Sequence, residues 1–191
     1  KKLHCRTITL AYNFNLSWKD HLESTLEPLT RAHQIGVENE DVEYAVIASM
    51  AASANAFVLG HDLNSIEKKL VERIAEAKRH QQIPMYYLGS IYLQATRNLT
   101  NNVSAPWLLE GDTFSENELI QFQELKVDDT ALANLFLTKL YLAFMFGRMD
   151  HALPFANQVI RHISAIQATP AIPFFRTFET LACINSLNDA T

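Results

Sequence analysis

The chain has 191 residues, with 16 Lys+Arg against 21 Asp+Glu, 48% hydrophobic residues, five glycines and six prolines. A chain of that length buries roughly 70% of its unfolded surface, so it needs neither metal nor disulfide for a core, and its apolar content excludes disorder. A net charge of −5 without a Lys/Arg stripe excludes nucleic acid as a partner, since nothing is there to displace counterions from phosphates.

In chain order, a first helix is expected from about Lys2 to Phe14. Ser17 is placed to cap a second through Leu26, continued past Pro28 to Asn39. Asp41 opens an Ala-rich helix that ends at Gly60. Asn64 or Ser65 caps an amphipathic helix to Gln81, with Ile66, Leu70, Ile74 and Ala77 as its apolar stripe. Pro84 sits in the first turn of a helix reaching about Asn98. Leu99 to Phe114, with Asn101, Asn102, Pro106 and Gly111, is the one long loop. Ser115 to Glu118 reads as a capping box for a short helix to Gln123 or Leu125.

Asp128 or Asp129 starts an apolar helix ending at Gly147, with Leu132, Leu135, Phe136, Leu140, Ala143 and Phe144 spread round it. Its apolar stretch, Ala131 to Phe146, falls short of the ~20 residues a bilayer requires, so burial and not a membrane is expected. Asp150 caps the next helix, with Pro154 in its first turns, and Pro170 and Pro173 open the last. No stretch alternates with period two, so strands are not expected. The prediction is all-α, with about eight helices in one domain over 1–191, in halves of about 1–98 and 115–191 joined by loop 99–114.

One internal match organises these helices. Phe57-Val58-Leu59-Gly60-His61-Asp62-Leu63 pairs with Phe144-Met145-Phe146-Gly147-Arg148-Met149-Asp150. Each runs an apolar helix into a glycine suited to a left-handed turn, and an amphipathic helix follows. Two such turns suggest stacked antiparallel helical hairpins, although any antiparallel helix pair can share a turn of this kind.

Gly147 to Leu153, with Ala152, resembles the turn and second-helix start of a tetratricopeptide repeat. Trp18 to Leu22, Leu26 to Leu29, Gly36 to Ala45, Phe57 to Gly60, Asp129 to Ala131, Lys139 to Ala143 and Pro173 to Phe178 are similar, in order, to one family region. It is the helical-repeat region of large bacterial multidomain signalling proteins, which join a serine/threonine-kinase-like domain, a STAND-type ATPase, a GAF sensor and often a histidine kinase. The resemblance implies a tetratricopeptide-like α-α superhelix. Where that family has a glycine before the aspartate, this chain has Glu40-Asp41, with Gly36 earlier, so that turn is expected to differ in shape.

No phosphate-binding loop, dinucleotide fingerprint, kinase catalytic motif, zinc-protease helix or nucleophile elbow occurs, so neither catalytic residues nor a cofactor are assigned. His21 with His33, and His151 with His162, are not spaced for chelation on one helix face, and no metal is expected. Glu76 and His80 stand at i,i+4 and read as an exposed pair. Cys5 and Cys183 read as reduced thiols, and the sequons at Asn15, Asn98 and Asn102 carry no meaning without a signal peptide.

Tyr86 and Tyr87 suit a groove or, more plainly, helix packing. Trp107, in the long loop, is a candidate exposed contact, and Lys68, Lys69 and Arg73 mark a charged face. The chain opens Lys1-Lys2-Leu3-His4 without methionine, which reads as a segment of a longer polypeptide. The expected role is a non-catalytic, cytoplasmic regulatory module that contacts neighbouring domains, a protein partner or a small-molecule inducer. A STAND-type transcriptional activator is the alternative parent, and oligomeric state is not readable.

Overall fold

The computed structural model describes residues 2–101, 103–112, 114–126 and 129–188; the sequon at Asn102 and the alternative helix start at Asp128 lie outside the described residues. The fold is all-α, with nine helices among the described residues. They are α1 (Lys2–Leu10), α2 (Leu26–Glu38), α3 (Val42–Val58), α4 (Leu63–Arg79), α5 (Ile83–Thr100), α6 (Glu116–Lys126), α7 (Asp129–Met145), α8 (Met149–His162) and α9 (Ala171–Asn188). No helix among the described residues is long and apolar enough to cross a membrane.

The glycine turns have one geometry. At Gly60 the His61 N–H donates to the Ala56 carbonyl (3.1 Å) and the Gly60 N–H to that of Phe57 (3.0 Å), with φ +74°. At Gly147 the Arg148 N–H donates to Ala143 (2.7 Å) and the Gly147 N–H to Phe144 (3.1 Å), with φ +68°. Both are Schellman motifs, which satisfy two carbonyls orphaned at a helix end. A Cβ at either glycine would meet nothing within 4 Å, so the demand for glycine comes from the backbone itself.

The same pair of bonds recurs without glycine. Asp41 donates to Gly36 (2.9 Å) and Glu40 to Val37 (3.4 Å), with Glu40 at φ +56°. Gln82 donates to Ala77 (2.9 Å) and Gln81 to Lys78 (3.2 Å), with Gln81 also at φ +56°. The turn at Glu40 therefore has the shape of the other three in this chain. Gly36 serves a separate purpose: a Cβ there would stand 2.7 Å from Ala45 Cβ, so its absence lets α2 approach α3.

By contacts the chain forms two compact units, Lys1–Leu93 with Ala168–Pro170, and Gln94–Gln167 with Ala171–Thr191. The division falls inside α5, earlier than the loop 99–114 that the sequence marks. In the first unit consecutive helices pack on one another, α1 on α2, α2 on α3 and α3 on α4. Leu29, Ala32, Ala48 and Cys5 fill the space between the first three. Arg6 of α1 donates two hydrogen bonds to the Asp41 carboxylate (2.8 and 3.1 Å), so that residue ties α1 to the start of α3.

Three local expectations change here. Ser17 does not cap an α-helix: after α1 the chain widens into a π turn at Ala11–Asn15 and then tightens into 3-10 turns at Leu16–Trp18 and Leu22–Thr25. Its hydroxyl donates back to the Asn13 carbonyl, as serine does inside a turn. Asp62, not Asn64 or Ser65, caps α4, accepting from the Ser65 N–H at 2.8 Å. Asp150 lies inside the first turn of α8 and is gripped by Arg148 (3.0 and 2.8 Å), which holds its carboxyl below the usual range.

In the second unit α7 packs on both α8 and α9. Leu140, Leu135, Leu142 and Ala143 are fully buried, and Ala152 and Phe175 join the core from α8 and α9. The polar residues within its apolar stretch, Asn134, Thr138 and Lys139, are buried too. Glu116, at the start of α6, takes the Lys139 ammonium and accepts from the Leu109 N–H (2.7 Å), so one buried carboxylate holds the loop and α6 to α7. Ser115 caps α6, accepting weakly from Glu118 N–H (3.3 Å). The long loop also contains a minimal hairpin that period-two patterning is too short to reveal, Glu110–Gly111 against Phe114–Ser115, antiparallel.

Candidate functional site

The first unit contains a cavity of about 170 Å³ lined from α2, α3, α4 and the turn after Gly60. Ser49, Ala52, Ser53 and Ala56 follow i, i+3, i+4, i+7 spacing, which puts four small residues on one face of α3 and leaves room there. Leu26 and Ile66 add apolar walls. His33 enters from α2, His61 from the turn, and Lys69 and Arg73 from α4.

Beside the cavity lies a polar cluster. His33 Nε2 is 3.0 and 3.1 Å from the two Glu76 carboxylate oxygens, and the Arg73 guanidinium donates to Glu76 at 3.2 Å. Burial acts to raise the Glu76 carboxyl, but the His33 bond and the Arg73 charge outweigh it and hold the group below its usual range. His61 Nε2 is 2.8 Å from a Glu23 carboxylate oxygen. The three lining hydroxyls each donate to a helix carbonyl: Thr30 to Leu26, Ser49 to Val46 and Ser53 to Ser49.

The expected charged face divides. Lys68 and Lys69 are exposed, but Lys69 lines the cavity, and Arg73 is half-buried in the Glu76 cluster. Glu76 pairs across helices with His33 instead of with His80, which stands at the C-cap of α4. A separation of 43 residues hides that pairing from any local spacing rule.

The remaining expected residues lie elsewhere. Phe57 and Phe144 occupy matching places, each edge-on to an aromatic ring: Phe57 to Tyr92 (5.2 Å) and Phe144 to Phe178 (5.3 Å). Tyr86 and Tyr87 are half-buried with their rings edge-on at 5.3 Å, and Tyr92 is fully enclosed, its phenol pushed far up by burial. Trp107 is half-buried against the second unit's core, with Arg148 over its ring (4.1 Å) and His151 stacked at 5.5 Å. That ladder continues to Phe155 and the Lys139 ammonium. Asn98 is buried and donates to the Pro106 and Leu108 carbonyls, which closes that sequon to modification. Among the described residues no three His, Cys, Asp or Glu side chains converge to hold a metal.

Comparison with known protein families, curated proteins and solved structures finds no match for this chain.

Proposed function

We propose that the chain is a non-catalytic regulatory and protein-interaction module of a bacterial signal-transduction protein. In this reading its helices form a tetratricopeptide-like stack in the cytoplasm and couple an ATPase or kinase to a sensor domain. One observation carries it. The hydroxyls lining the cavity between α2, α3 and α4 are spent on helix carbonyls, and the neighbouring carboxylate is spent on His33 and Arg73. Such a site offers cations and shape for holding a partner, and no nucleophile is paired with a base. The repeated left-handed turns support the helical-repeat part of the reading.

A module of this kind acts by binding two states of its parent unequally, so it shifts an equilibrium and adds no chemistry. The second reading, a segment of a STAND-type transcriptional activator, is favoured by the same cavity, because an inducer needs a pocket of small-molecule size. Incubating the purified chain with radiolabelled ATP tests the first claim. Neither phosphate release nor protein labelling above a mock purification is expected. Hydrolysis or labelling that a point substitution within the chain abolishes contradicts it.

A further inference from the structure

We propose that the cavity between α2, α3 and α4 binds a small amphipathic carboxylate, its charged head between Lys69 and Arg73 and its short apolar body against Leu26, Ala52, Ala56 and Ile66. The inference deepens the binding-module reading and rests on it. Lys69 and Arg73 stand at i,i+4 on one helix, a like-charge spacing that costs stability unless an anion sits between them. Arg73 is compensated by Glu76, but Lys69 has no acidic partner among the described residues. An arriving anion therefore meets one uncompensated cation and a guanidinium with donors to spare.

Charge and size select the class. On the α4 side of the rim Lys69, Arg73 and the ionised Glu76 leave one net positive charge, which a single carboxylate neutralises, while His33 and His61 each already face a carboxylate, Glu76 and Glu23. The floor is alkyl, from Ala52, Ala56, Leu26 and Ile66, and a volume of about 170 Å³ admits a short chain but not a nucleotide. The hydroxyls of Ser49 and Ser53 have already given their protons to backbone carbonyls, so they do not compete for the head group.

Pentanoate is the probe, titrated into the 191-residue chain and followed by amide chemical shifts, with pentanamide, inorganic phosphate and a hexaglutamate peptide in parallel. Pentanoate is expected to move the amides of 49–56 and 66–73, and pentanamide to bind about tenfold more weakly. Lys69→Gln should weaken pentanoate by about the same factor, since it removes one charge-assisted contact, while Lys68→Gln changes nothing. Ala52→Leu, which fills the floor, should abolish binding with the helical spectrum intact. A silent pentanoate titration overturns the proposal, as does equal affinity for Lys69→Gln and wild type. Tighter binding of phosphate, or shifts with hexaglutamate alone, also overturns it, in favour of a phosphorylated ligand or an acidic protein surface. Hydrolysis of ATP would instead fail the module reading and leave the pentanoate result standing.

Discussion

The two glycine turns share hydrogen bonds and handedness, yet the helices they join are packed by opposite means. Behind Gly60, α3 carries small side chains, and the space between α2, α3 and α4 stays partly open with cations at its edge. Behind Gly147, α7 carries large ones, and Tyr141, Phe144, Phe174 and Phe178 interlock at ring distances of 4.9–5.3 Å. A turn fixes how two helices are connected; side-chain volume on the facing surfaces decides whether a ligand-sized space remains.

The contrast can be broken first at the buried ion pair of the second unit. Lys139→Met strands the Glu116 carboxylate among apolar groups, and a loss of about 3–5 kcal/mol is expected in urea denaturation. Replacing both partners by apolar residues of similar volume should recover much of that loss. Leu140→Ala comes next, at roughly 2–5 kcal/mol, because Leu140 is wholly enclosed and its neighbours leave a cavity when it is cut back. A loss near zero would mean that α7 does not close the core.

Exchanges at the turns sharpen the shared part. Gly60→Val and Gly147→Val should each cost on the order of 1–2 kcal/mol, since a branched residue resists positive φ. Glu40→Gly and Gln81→Gly should each gain about 0.5–1 kcal/mol, the strain relieved less the entropy a glycine adds to the unfolded chain. Thermal midpoints of the four variants read both signs.

The smallest effect concerns pH. Glu76 has its folded pKa depressed, so its contribution is present above the unfolded value of about 4.5 and is lost as pH falls through the lower folded value. Wild type should therefore lose stability across that acid window more steeply than Glu76→Gln, measured by the melting temperature at stepped pH.

The helical class, the matched glycines and the buried character of α7 were legible because each rests on local chemistry: period, a residue that tolerates positive φ, and an unbroken apolar surface. Glu40 and Gln81 were not legible as equivalent turns, since nothing in their chemistry announces a left-handed backbone that their surroundings impose. Nor was the end of α1 legible, where π and 3-10 geometry use residues that an α-helix would also accept. Lys69 and Arg73 were visible as neighbours on one face, but Lys69 as a cavity wall depends on small residues of another helix. His33 with Glu76, and Lys139 with Glu116, arise only when distant segments meet.

The shared turn is the claim on which the helical series depends, and backbone coupling constants with Cα shifts at Glu40, Gly60, Gln81 and Gly147 measure it directly. Left-handed values at all four positions are expected. Right-handed helical values at Glu40 or Gln81 would contradict it, because α2 would then run on into α3, or α4 into α5, and the cavity between α2, α3 and α4 would lose its frame.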